Sequence, residues 1–332
     1  MQGSTMELEP FARPRVVVSA CLEFEAVRYN GARIPDAVIR SLAPYVEFLP
    51  VCPEVAVGMG VPRDPVRLVQ TSEGVRMWQP ETGRDWTEPM QQFACAFLEG
   101  IGPVDGFILK SRSPSCGIRE VKLYPEQSPI PASGKGAGLF ARAVLERFPD
   151  YPIEDEGRLT NLQIREHFLT RIFALALWRR YRERGRVRDL VEFHTQYKLL
   201  LLYYNQSLLQ KLGQLVAQAR HLPREELFAR YGELFRRALA RMPRTGNAEN
   251  VLLHAFGYVS DRLSAAEKAY FLDVLLQFRR RQLPLSVPVA LLRAWIVRFD
   301  EPYLKRQRFF LPYPQELVTL YDSSRGRDIA QR

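Results

Sequence analysis

The sequence predicts an α/β domain with a parallel, Rossmann-like sheet, followed by an all-α domain. Three observations predict it. Short β-rich runs alternate with helical ones through residues 1–160, as they do where helices cover a parallel sheet. Beyond residue 160 the strand signal almost vanishes, and apolar residues recur with a helical period. The charge changes at the same place. The 332-residue chain carries 47 Lys/Arg and 37 Asp/Glu, a net of +10. Residues 1–160 hold 17 basic and 21 acidic side chains, a net of −4, whereas residues 161–332 hold 30 and 16, a net of +14. One half is therefore expected to do chemistry while the other meets a polyanion. The junction is placed near Tyr151–Thr160, where Pro152 and the acidic run Glu154–Glu156 read as exposed.

In chain order, Arg15–Ala20, Tyr45–Val51 and Val104–Lys110 are short, β-rich and bounded by Pro, Gly or Ser, as buried strands are. Helices are expected over Pro35–Leu42, Glu88–Leu98 and Gly138–Phe148. The polar, turn-rich stretch Val61–Arg84 reads as a loop or a small hairpin. In the second half, Asn161–Arg182, Val187–Arg220, Arg224–Arg241, Ala248–Asp261, Ala265–Arg281 and Val287–Phe299 read as amphipathic helices. The second is the clearest, with Leu190, Phe193, Tyr197, Leu201, Tyr204, Leu208 and Leu215 along one face. Pro223, Pro243 and Pro284, with Gly185 and Gly246, punctuate these helices.

Several classes are excluded. No apolar run is long enough to span a membrane, and Met1–Pro14 carries acidic residues without the apolar core of a signal peptide. A cytoplasmic location is expected. Four cysteines in so long a chain do not make a disulfide scaffold. Gly134-Lys135-Gly136-Ala137-Gly138 lacks both the P-loop pattern and the dinucleotide fingerprint, so neither NTP nor NAD is expected. That turn either approaches a nucleotide phosphate or permits close packing.

Three of the cysteines follow predicted strands: Cys21 after the first, Cys52 after the second, and Cys116 in a Ser/Pro/Gly loop after the third. Ligands of an open parallel sheet bind beyond the carboxyl ends of its strands, so these three can converge. Cys95 lies inside a predicted helix beside Phe93 and Phe97 and reads as a buried thiol packing as a small hydrophobe. Three thiolates suit an iron–sulfur cluster with one iron open. Structural zinc prefers four ligands in close pairs, and all four histidines (167, 194, 221 and 254) fall in the helical half. Spacing alone also permits plain buried thiols.

The motifs extend the reading. Ser19-Ala20-Cys21-Leu22 with Val27-Arg28-Tyr29-Asn30-Gly31, Val51-Cys52-Pro53-Glu54, Lys110-Ser111-Arg112-Ser113-Pro114-Ser115-Cys116-Gly117 and Glu156-Gly157-Arg158-Leu159 resemble the TudS-type thiouracil desulfidases. The helical half resembles the YbgA-like domain, and the two-domain order resembles the RudS-type desulfidases, which act on thiolated uridine in transfer RNA. One departure is Glu23-Phe24-Glu25 after Cys21-Leu22, where the family pattern leads one to expect a glycine nearby.

The resemblance implies a desulfidase domain over residues 1–160 with a 4Fe–4S cluster on Cys21, Cys52 and Cys116. Its open iron would bind the thiocarbonyl sulfur while water adds to the ring carbon. Glu54, in the family's Cys-Pro-Glu motif, is the candidate acid–base group. Ser113 is the candidate substrate-facing hydroxyl, with Ser111 and Ser115 as further donors to cluster or substrate. Arg28 either holds a phosphate or pairs with Glu25. In the basic helical domain, residues 161–332, Arg179, Arg180, Arg182 and Arg184 are candidate RNA phosphate contacts, with further runs at Arg236-Arg237, Arg279–Arg281 and Lys305-Arg306-Arg308. Tyr181, Tyr303, Phe309 and Phe310 among them are candidate base-stacking groups. The expected activity is conversion of 4-thiouridine in transfer RNA to uridine with release of sulfide. Thiouracil and 4-thio-UMP are further candidate substrates. The alternatives are the same chemistry on free thiolated bases or nucleotides only, and a non-catalytic RNA-binding protein with a structural metal.

Overall fold

The computed structural model describes residues 6–125 and 134–318; the first five residues of the Met1–Pro14 segment lie outside it. The chain forms two compact units. Arg13–Ala176, with residues 316–318, make one, and residues 6–12 with Leu177–Gln315 make the other. By packing, the division falls inside a long helix, between Ala176 and Leu177.

The first unit opens with β1 (Arg15–Ser19), α1 (Ala37–Leu42), β2 (Glu47–Val51) and the single turn α2 (Pro53–Ala56). Then come β3 (Arg67–Thr71), β4 (Gly74–Gln79), β5 (Arg84–Asp85) and α3 (Thr87–Gly100). It continues with β6 (Gly106–Leu109), β7 (Val121–Pro125), β8 (Lys135–Gly136), α4 (Leu139–Arg147) and β9 (Ile153–Asp155). Four of these strands form an all-parallel sheet in the order β2-β1-β6-β9. β6 is buried along its whole length and β1 from Val16 to Ser19, which is why they read as unbroken apolar runs. Val17 and Phe107 contribute from this sheet to a core shared with Met90 of α3 and with Phe140 and Val144 of α4.

Two features of this unit differ from expectation. The acidic run is not an exposed linker: it is the edge strand β9, half-buried. Its carboxylates are taken up locally, Glu154 by Arg158 Nε at 2.7 Å and Asp155 by the Arg158 backbone N–H at 2.8 Å. The Val61–Arg84 stretch does contain the hairpin β3–β4, but this belongs to a second, five-stranded sheet of order β5-β4-β3-β7-β8. β7 pairs parallel to β3 from more than fifty positions away, a long-range contact with no local signature.

The long helix is α5 (Leu162–Arg184), and it is followed by α6 (Val187–Tyr204), α7 (Gln206–Ala217), α8 (Arg224–Leu239) and α9 (Thr245–Gly257). α10 (Ala265–Arg279), α11 (Ser286–Arg298) and the short α12 (Pro302–Lys305) complete the all-helical unit. The predicted helix Val187–Arg220 is two helices. Asn205 ends α6 in extended backbone, φ −160°, and caps α7 by accepting from Leu208 N at 3.0 Å. The core is aromatic: Phe193 stacks on Tyr197 with centroids 4.5 Å apart, and Trp178 packs on Tyr231 at 4.9 Å. No helix among the described residues is long and apolar enough to cross a membrane.

Candidate functional site

After β1 the chain adds β2 on one side and later returns to add β6 on the other. The carboxyl ends of β1 and β6 therefore flank the switch point of the parallel sheet, where a crevice forms. Cys21 lies two residues past β1, Cys52 directly past β2, and Cys116 in the loop past β6. All three line one cavity of ≈ 650 Å³, together with Glu54 and Ser113. Cys95 does not belong to it. It is exposed on the outer face of α3, 3.5 Å from Glu99, because the buried face of that helix runs through Met90, Ala94 and Leu98. The expectation of a buried thiol there was wrong by one helical position.

Burial raises all three cavity thiols. Cys21 is pushed up to about 11, with Cys52 adding to the effect and Lys110 opposing it. Cys116, fully enclosed, is pushed up to about 12, against the hydroxyls of Ser19 and Ser115. Cys52 is also raised by burial, although the backbone N–H groups of Val55 and Glu54 in the first turn of α2 favour its thiolate. Three clustered sulfurs thus hold their protons unless a positive, thiophilic group replaces them. Among the described residues no three His, Cys, Asp or Glu side chains are grouped to grip a single metal ion. Three soft ligands spread around one cavity fit a cluster, in which each thiolate binds a different iron.

Glu54 begins the single turn α2 that follows Cys52, and it is buried. Its Oε1 accepts from Ser115 Oγ at 2.6 Å and Ser113 Oγ at 3.4 Å, and its Oε2 accepts from Arg63 at 2.6 and 2.8 Å. Ser113 Oγ also lies 2.9 Å from Ser115 Oγ and accepts from Cys116 N at 3.1 Å. Ser111 stands apart from this group. It donates to Glu156 at 2.6 Å through Oγ and at 2.8 Å through its backbone N–H. Lys110 completes that second network, pairing with Glu156 and reaching Ser111 Oγ at 2.9 Å. Burial raises the Glu156 carboxyl, but the Lys110 and Ser111 contacts outweigh it and hold the group below the ordinary range. Sequence reasoning missed Arg63, Lys110 and Glu156 as site residues. Lys110 and Glu156 lay in quoted motifs, whereas Arg63 sat in a turn-rich stretch without any signal.

The Ser-Pro-Ser-Cys-Gly loop is braced from beneath by α4. The N–H groups of Gly138, Leu139 and Ala141 donate to the carbonyls of Gly117, Pro114 and Ser115 at 2.8–3.1 Å. They are not free for a phosphate, and Gly138 serves close packing: a Cβ there would stand 2.4 Å from Ser115 O. Glu23, where a glycine was expected, adopts φ +68°. Its carboxylate compensates by accepting from Asp36 N and from Arg40 at 2.8 Å. Arg28 lines the cavity with its guanidinium over Tyr29, and among the described residues no carboxylate pairs with it, Glu25 included.

The helical unit treats its predicted RNA contacts unevenly. Arg182 is exposed, whereas Arg179 lies 3.9 Å from Glu183. Arg180 and Arg184 both grip Glu9, whose carboxyl is raised by burial but pulled below its ordinary range by Arg184, Tyr181 and Arg180. Arg308 is buried and donates to the Glu9 carbonyl. Tyr181, Phe309 and Phe310 are buried in packing, and Tyr303 stacks on Tyr258 at 4.8 Å. The first three are not available to stack on bases. Tyr181 lies on a buried side of α5, and Phe309 and Phe310 are packed inward in the turn after α12, which charge-run reading overlooked.

A parallel sheet that delivers three cysteines to its switch point, followed along the chain by a helical unit, defines a two-domain protein with a thiol-lined pocket. The chain belongs to the 2-thiouracil desulfurase family, which residues 16–156 match. Residues 198–314 match DUF1722, a protein family of unknown function. Among similar proteins, the uncharacterized YbgA of Escherichia coli is 28% identical over 151 residues, 44% of this chain and 88% of that protein. The uncharacterized YbbK of Bacillus subtilis is 30% identical over 109 residues, 31% of this chain and 72% of that protein. A solved structure, a [4Fe-4S]-dependent thiouracil desulfidase TudS, is 27% identical, with 44% of this chain and 93% of that chain covered and a TM-score of 0.35.

Proposed function

We propose that this chain is a 4Fe–4S-dependent desulfidase that converts 4-thiouridine in transfer RNA to uridine and releases sulfide. The observation that carries the reading is the convergence of Cys21, Cys52 and Cys116 on one cavity beside the buried Glu54. These three cysteines would hold the cluster, which supplies when bound a soft Lewis acid for the thiocarbonyl sulfur. The reaction replaces C=S by C=O with water as the oxygen source and hydrogen sulfide as the product, so no electron is transferred. Glu54 would take the proton of the attacking water through Oε1, the oxygen that accepts from the two serines. Ser113 and Ser115 orient that oxygen and the water. Lys110 places a positive charge near Cys21. The cavity lining includes Arg28, Arg112 and Lys122, which suit a substrate bearing phosphate.

One observation favours the narrower reading, the same chemistry on a free thiolated base or nucleotide. Arg180 and Arg184 are engaged by Glu9 within the helical unit and are not a bare basic stripe. The deciding experiment is anaerobic reconstitution, then incubation with 4-thiouridine-containing transfer RNA or with thiouracil, and nucleoside analysis. Loss of 4-thiouridine with appearance of uridine is expected. Turnover of thiouracil alone would leave the narrower reading, and turnover of neither would reject both.

A further inference from the structure

Glu54 Oε1 accepts from Ser113 and Ser115, both of which line the cavity, whereas Oε2 is turned to a different partner. A glutamate side chain has three rotatable bonds, and the single turn α2 fixes none of them. Arg63 does so. Its side chain is 5% exposed, and its Nε and Nη2 both donate to Glu54 Oε2, at 2.8 and 2.6 Å. Nη1 is engaged elsewhere, by the carbonyls of Gly60 and Val27, each at 3.0 Å. The guanidinium is thereby locked to its own turn and to the loop that follows β1. With Oε2 clamped by a planar fork, the remaining oxygen has one direction left, towards Ser113 and Ser115. Val27 O receives Cys52 Sγ as well, at 3.8 Å, so the same carbonyl registers both the clamp and a candidate ligand.

We propose that Arg63 is the positioning residue of the site, holding Glu54 by Oε2 so that Oε1 alone meets the water and the serines. This rests on the acid–base role of Glu54. Arg63 also lines the cavity, but the two donors on its Glu54 side, Nε and Nη2, are both spent on the carboxylate. Lysine cannot replace it fully, because a single ammonium cannot make the two-donor grip and also hold two carbonyls.

The test is a double-mutant cycle in the full-length, anaerobically reconstituted protein with 2-thiouracil as the substrate: Glu54→Gln, Arg63→Gln, Arg63→Lys and Glu54→Gln/Arg63→Gln. Iron and sulfide content and the melting temperature of the cluster-free protein are measured alongside kcat and KM. Arg63→Gln is expected to lower kcat by roughly ten- to a hundredfold, the cost of a misplaced group, with KM changed less than about threefold. Arg63→Lys should recover part of kcat. In the Glu54→Gln background, Arg63→Gln should cost almost nothing further. If Arg63→Gln lowers kcat equally in both backgrounds, or shifts KM as much as kcat, the positioning role is overturned in favour of a structural one. Normal turnover by Arg63→Gln beside a crippled Glu54→Gln overturns it as well. Normal turnover by Glu54→Gln removes the underlying reading instead. Should Arg63→Gln lose iron, the cycle is run with Arg63→Lys, whose additivity with Glu54→Gln would equally overturn the role.

Discussion

Gly138→Ala is a perturbation whose size the structure fixes almost by itself. The residue has φ −63° and ψ 156°, a conformation any amino acid adopts, so the backbone contributes no strain. The whole effect is steric. The new methyl would stand 2.4 Å from Ser115 O and 2.7 Å from Pro114 O, where ordinary contacts begin at 3.4 Å. The loop must retreat by about 1 Å, stretching the bond by which Ala141 N holds Ser115 O at 3.0 Å. Overpacking of this kind costs about 1–3 kcal/mol, of which a stiffer unfolded chain returns roughly 0.4–1 kcal/mol. For a unit of this size the melting temperature should fall by roughly 2–8 °C. Because Cys116 rides on the same loop, iron retained after anaerobic reconstitution should fall too. Gly134→Ala is the control, since its methyl meets only Leu123, with Cδ1 nearest at an ordinary 3.6 Å. Melting curves and iron assays on both variants suffice. Identical behaviour of the two would refute the claim that α4 braces the cysteine loop.

Three further outcomes are expected. Cys21→Ser, Cys52→Ser and Cys116→Ser should each abolish cluster retention, and Cys95→Ser should leave iron and sulfide content unchanged; full iron in any of the first three would remove it as a ligand. Glu9 has a depressed carboxyl, so the stability it lends is present above its unfolded value and disappears as pH falls through the folded one. Acid should therefore destabilise the helical unit below the ordinary carboxylate range, and Glu9→Gln should flatten that part of a melting-temperature profile. Replacing Arg179, Arg180, Arg182 and Arg184 by Gln should lower the slope of log affinity for transfer RNA against log salt, by roughly 0.7–0.9 for each phosphate no longer neutralised. Equal slopes in a filter-binding series would show that the run does not touch RNA.

Legibility tracked how local the cause was. β1 and β6 were visible because buried parallel strands are short apolar runs, and β2, though a half-exposed edge strand, still shows the run Phe48-Leu49-Pro50-Val51; the cysteines after them inherited that visibility. β7 was not, since its partner is β3, and β8 is two residues long. The break at Asn205 was hidden because apolar period continues across it and a single capping amide does the breaking. Within the site, Cys52 and Glu54 were read from one motif, whereas their partner Arg63 comes from a loop whose course only the folded chain reveals. The basic run failed differently. Composition counts charges, but it does not show that residues 6–12 carry the glutamate that answers Arg180 and Arg184.

The three cavity cysteines have a consequence for biosynthesis. Each is supplied by a different strand end, and no two are near neighbours in the chain, unlike a Cys-x-x-Cys loop. A nascent or unfolded chain therefore offers stray metal ions only isolated thiols, which hold them poorly. The complete site exists only once β1, β2 and β6 have paired in register, and those are non-local contacts whose loops must close first. Delivery of a cofactor to this cavity would thus be gated by completion of the sheet, and occupancy would stabilise only the folded form, pulling the folding equilibrium behind it.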